Sequence, residues 1–89
     1  MPQAVVDPEA LRQFAQNLKK FNSQLRDRAA ALGNQLAALN ASWRDQEHEK
    51  FADAFETNMK ALLRFAETAD DYVPYLIRKA QHIEDYLQS

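Results

Sequence analysis

LNASWRDQEHEKF, residues 39–51, holds the only tryptophan of an 89-residue chain, Trp43, and its reading decides the fold. A run of spaced leucines ends just before it. A dense acidic patch and a second apolar pattern begin just after it. One large indole therefore stands where two helical patterns meet, with only residues 41–45 free to turn.

Upstream, VVDPEAL has the form of a helix start. The Asp7 carboxylate can accept from free backbone N–H groups, Pro8 suits a first position that needs no N–H, and Glu9 favours the positive end of the dipole. Val6 and Leu11 have the spacing of a hydrophobic staple. Leu11, Phe14, Leu18, Phe21, Leu25, Leu32, Leu36 and Leu39 then recur at gaps of three and four, with one gap of seven, the mark of a helical stripe. Gly33 lies inside it, at a cost of roughly 1 kcal/mol against alanine or in exchange for a close helix approach. The spacing predicts a first helix over about residues 8–40.

Downstream, Ala52, Phe55, Met59, Leu62, Ala66, Ala69, Val73, Leu76, Ala80, Ile83 and Leu87 alternate gaps of three and four throughout. That is a heptad seam, and Phe51, Leu63, Phe65, Tyr72 and Ile77 widen it into a face for more than one neighbour. Pro74 removes one backbone donor, so a kink is expected near Asp70 within one helix of about residues 46–88.

Such rods would be roughly 50 and 60 Å long, too thin as a lone hairpin to cover two wide apolar faces. The expected fold is all-α: an antiparallel helical hairpin forming one domain over residues 1–89, pairing with a second hairpin into a dimeric four-helix bundle. Charge agrees with antiparallel packing. Residues 1–44 carry six basic and three acidic groups, and residues 45–89 carry five and ten.

At the junction Asp45 is the expected cap of the second helix, with Ser42 the alternative. A tight bend exposes both helix ends, and Trp43 is suited to cover the gap. The other reading of Trp43 is docking on a partner.

Two long helices around a central tryptophan bend, in a chain of this size, resemble the WXG family of small helical hairpins exported by type VII secretion systems. The resemblance covers both helices and the bend. It implies pairing of hairpins as homo- or heterodimers and export without a cleavable signal peptide, or residence in the cytoplasm before export. Here the bend motif is Trp43, Arg44, Asp45, so aspartate stands where the family has glycine. Nor is any tyrosine followed four residues on by an acid, as in many family substrates.

The totals narrow the function further. There is no cysteine and hence no disulfide or thiolate site; net charge is −2, which does not suit a nucleic-acid binder. MPQAVVDPEA lacks the basic start and apolar run of a signal peptide, and no apolar stretch is long enough to span a bilayer. His48-Glu49 begins like a zinc-protease motif, but Ala52 stands at the second ligand position. Asp45 and His48 alone would make a weak metal site, better read as a solvated acidic helix start. His82 is expected in a surface ion pair with Glu84 or Asp85. Asp70 and Asp71 point to different helix faces and are expected to meet water at the proline kink. No nucleophile is arranged with a base, and no phosphate loop exists.

These readings point to a protein that is not an enzyme and needs no cofactor or metal. Phe14, Leu18, Phe21 and Leu25 would supply part of the dimer core; Phe55, Met59 and Leu62 would pack inside the hairpin or across the dimer. Its partners would be a second copy or a related hairpin, and a component of a secretion machine, with no stable membrane insertion. The function expected is a secretion substrate, or an adaptor or chaperone for one. The alternative is a self-assembling subunit of another apparatus, such as a type III needle, whose loop usually bears a proline that NASWRDQ lacks.

Overall fold

Residues 6–88 are described by the structure, a computed structural model. Two helices account for nearly all of them: α1 over Pro8–Leu39 and α2 over Gln46–Gln88. They pack against each other as an antiparallel hairpin.

The helix ends follow from side-chain chemistry. Asp7 accepts from the Glu9 amide at 2.9 Å, with Pro8 opening α1. Asp45 caps α2: its Oδ1 accepts from the His48 amide at 3.0 Å. α2 continues unbroken through Pro74.

The hairpin seam is built from small residues. Ala15, Ala66, Ala69, Val73 and Ala80 are buried, with Asn22 and His48 among them. Leu11, Leu18, Leu25, Leu36, Phe55, Met59, Leu76 and Ile83 are half-buried around them. Alanine at these positions lets two helices approach closely, and the core they make is thin.

Two ion pairs fix the register. Arg12 meets Glu84 at 2.8 Å, and Arg26 meets Asp70 at 2.7 Å. Both pairs obey one antiparallel offset, and by that offset Leu39 lies level with residue 57. The first three turns of α2 therefore extend past the end of α1, and the bend crosses them.

The result is a rod of 66 × 24 × 16 Å with a radius of gyration of 19.9 Å. A compact domain of this length would have about 12 Å. Its surface is 7095 Å², against about 5,400 Å² for a globular chain of this mass.

Three expectations are corrected here. The eight-residue stripe of α1 divides in two, because Phe14 and Phe21 are 57% and 52% exposed and Leu32 and Leu39 are exposed as well. The residues that face α2 in their place are Ala15 and Asn22. Gly33 allows no close approach within the hairpin: a Cβ built there meets nothing within 4 Å. Asp70 is drawn into the helix interface, where Asn22 and Arg26 both donate to it, while Asp71 stays exposed.

Candidate functional site

Three consecutive residues of the bend each have a separate job. The Trp43 indole lies edge-on to the His48 ring, with centroids 4.8 Å apart and planes at 80°, and tilts against Phe51 at 6.2 Å. Such aromatic pairs contribute roughly 0.5–1.5 kcal/mol beyond their buried area. Trp43 thus covers the turns of α2 that overhang α1. The Arg44 Nε donates to the Asn40 carbonyl at 2.7 Å, satisfying an acceptor that the end of α1 leaves free. Asp45 caps α2, and its own carbonyl accepts from the Glu49 amide at 3.3 Å.

No described residue other than glycine has a positive φ, and Gly33 does not have one either. Position 45 therefore makes no demand that only glycine could meet. A side chain there is accommodated and supplies a cap that glycine lacks, which accounts for aspartate in a Trp-X-Gly bend.

His48 is buried to 8% exposure, and its Nε2 has no hydrogen-bond partner among the described residues. It continues the seam into the bend. Among the described residues no cluster of three or more metal-ligating side chains occurs. His82 is exposed and makes no ion pair among the described residues, contrary to the surface pair expected of it.

The two edges of the hairpin differ in kind. One edge is charged and paired. Arg12 grips Glu84 through both carboxylate oxygens and reaches Gln81 at 3.2 Å; Arg26 and the fully buried Asn22 share the Asp70 carboxylate. The Asn22 amide, then Arg26, hold Asp70 below the ordinary carboxylate range; Arg12 does the same for Glu84, and Glu84 in turn raises the Arg12 guanidinium. Along the bend half of this edge runs an apolar groove of about 480 Å³, floored by Gly33 and walled by Leu36, Phe55, Met59 and Leu63.

The opposite edge is aromatic and open. Residues immediately preceding the seam positions line it: Phe14 and Phe21 on α1, Phe51, Phe65 and Tyr72 on α2. Phe65 is 52% and Tyr72 57% exposed. The interface residues expected from the sequence therefore fall into two groups. Phe14 and Phe21 stand together on the aromatic edge. Leu18, Leu25, Phe55 and Met59 are half-buried along the seam, and Leu62 is 40% exposed beside it.

Sequence reasoning missed Asn22 and the Arg12–Glu84 and Asp70 networks. The signal was present: Arg12, Lys19 and Arg26 recur every seven residues, as do Asp70, Ile77 and Glu84, and antiparallel packing brings such rows together.

Among the described residues no helix is long and apolar enough to cross a membrane. No curated protein and no solved structure matches the chain. A family model does match, WXG100, described as proteins of 100 residues with WXG, over residues 3–88. With the hairpin and its tryptophan bend, that match, spanning both helices, places the chain in the WXG100 family of small helical secretion-system proteins.

Proposed function

We propose that this protein is a non-enzymatic hairpin that pairs, face to face, with a second hairpin into a four-helix bundle, and that the pair is a type VII export substrate or an adaptor for one. The observation that carries this reading is the open aromatic edge. A single hairpin spends its alanines on its own seam and leaves Phe14, Phe21, Phe65 and Tyr72 half in water or more. The excess of surface over a globular chain is about 1,700 Å², more than the roughly 800 Å² that one partner gives to a standard interface.

Phe14 and Phe21 form the centre of the pairing face in this reading, with Leu18 and Leu25 behind them. Phe55, Met59 and Leu62 support the bend half. Trp43, Arg44 and Asp45 hold the bend and so keep the two helices in register for the partner. The pair is held in the cytoplasm until export and needs no cleavable signal. Membership of the WXG100 family supports this reading over the needle-subunit alternative.

The test is export from a host with an active type VII machine. Wild-type chain should reach the medium only when the machine's ATPase is intact, and Phe21→Asp should remain in the cell. Export of wild type without the ATPase, or of Phe21→Asp at the wild-type level, would count against the reading.

A further inference from the structure

The apolar seam says little about its own register. On α1 its central row is Ala15, Asn22, Ala29 and Leu36, every seven residues; on α2 it is Ala52, Met59, Ala66, Val73 and Ala80. By the offset of the ion pairs, Ala15 lies within a residue of the level of Ala80, Asn22 of Val73, Ala29 of Ala66, and Leu36 of Met59. Sliding α1 one heptad toward the bend, about 10 Å, sets Ala15 level with Val73, Asn22 with Ala66, Ala29 with Met59 and Leu36 with Ala52. No layer then holds two bulky residues.

The ion pairs separate the two registers only in part. After the slide Arg12 stands level with Ile77 instead of Glu84, but Lys19 takes the place of Arg26 beside Asp70. Pairs open to water discriminate weakly. The connection does not forbid the slide either. Leu39 would move from the level of residue 57 to that of Lys50, so the bend would span about 6 Å along α2 in place of about 17 Å. The opposite slide is closed: it needs about 27 Å, and the seven steps from Leu39 to Gln46 reach about 24 Å when fully extended.

Asn22 tells the two registers apart. It is the one fully buried polar side chain among the described residues, and its Nδ2 donates to the Asp70 carboxylate at 2.8 Å. After the slide Leu63 would stand where Asp70 stands now, and the nearest carboxylate, Glu67, would be one turn away. A buried amide without an acceptor is worse than a lost surface ion pair. Asn22 is also imperfectly satisfied where it is, because its Oδ1 has no partner among the described residues. Alanine, as at positions 15 and 29, would leave no such orphan. A single buried asparagine that fixes register at some expense of stability is known in coiled coils.

We infer that Asn22, through Asp70, is the register-determining residue of the hairpin, excluding a second register that lies one heptad away. The choice shapes the aromatic edge, because the slide would displace Phe14 and Phe21 by about 10 Å relative to Phe65 and Tyr72. The inference concerns a single chain and does not depend on its pairing.

The chain has no cysteine, so nitroxide labels can be placed uniquely at Gln13→Cys and Arg64→Cys, both exposed. Pulsed electron–electron resonance, with unlabelled chain in excess so that only distances within one chain are read, reports the register. With helix axes about 10 Å apart, the labelled sites are about 30 Å apart in the observed register and about 21 Å apart after the slide. The labelled chain with Asn22 intact is expected to show the longer distance alone. Asn22→Ala is expected to stay helical by circular dichroism and to add the shorter one. Ala15→Asn with Asn22→Ala moves the amide to the position that meets Asp70 only after the slide, and is expected to shift the distribution to the shorter distance. A single distance of about 30 Å in both variants would overturn the inference. So would unfolding of Asn22→Ala, which would make Asn22 a residue of stability and not of register.

Discussion

Replacing Asp45 by glycine restores the family's Trp-X-Gly bend, yet the geometry predicts that it weakens this protein. The Asp45 carboxylate accepts from the His48 amide at 3.0 Å, one of the four donors that the start of α2 leaves free. No positive φ exists there for a glycine to relieve. Loss of such a cap to alanine costs about 1 kcal/mol, and to glycine a few tenths, since glycine leaves the amide open to water. For a chain of this size 1 kcal/mol corresponds to roughly 4–8 °C in melting temperature. Asp45→Ala should therefore melt lower by about that amount and Asp45→Gly by 1–3 °C, the few tenths converted on the same scale. The assay is far-UV circular dichroism at one fixed protein concentration, because association would otherwise shift the midpoint. A glycine variant that melts several degrees higher than wild type would refute the reasoning, as would an alanine variant that melts unchanged.

Gly33→Ala should stabilise α1 by about 0.5–1 kcal/mol, because the new methyl meets no neighbour and the unfolded chain loses freedom; a denaturation midpoint that falls would mean that something packs against Gly33. Trp43→Ala removes a half-buried indole from His48 and Phe51 and should cost about 2 kcal/mol, roughly half the loss of a fully buried tryptophan, read by urea unfolding. Acid should loosen the hairpin through Asp70 and Glu84. Both carboxyls are held below their ordinary values of 3.8 and 4.5, so their contribution is complete above those values and is lost as pH falls through and below them. The double variant Asp70→Asn with Glu84→Gln should flatten that acid limb in pH-dependent melts, and an unchanged limb would assign it to other groups.

Much of this architecture is legible in the residues. Asp7, Pro8 and Asp45 announce the starts of both helices, and the three-and-four spacing from Ala52 onward declares the α2 seam, because helix geometry acts locally. The partition of α1 is less legible. Phe14 and Phe21 keep the same phase as Leu18 and Leu25, and hydrophobicity ranks phenylalanine above alanine. Close packing decides the other way: Ala15 and Asn22 fit between the helices where a phenylalanine ring would hold them apart. Asn22 is hard to foresee because a buried amide is acceptable only with a partner, and that partner, Asp70, lies 48 residues away. The role of Asp45 is partly legible as a cap, but that the bend has no need of glycine follows only from its backbone angles.

Sedimentation equilibrium of the wild-type chain over a wide concentration range, beside Phe21→Asp, tests the central claim most directly. The claim is that the aromatic edge is a pairing face. The account predicts that wild type moves from 10.3 kDa toward twice that mass as concentration rises, while the variant stays at 10.3 kDa and helical. A wild-type chain that remains a stably helical monomer throughout, or a variant that associates equally well, would contradict it.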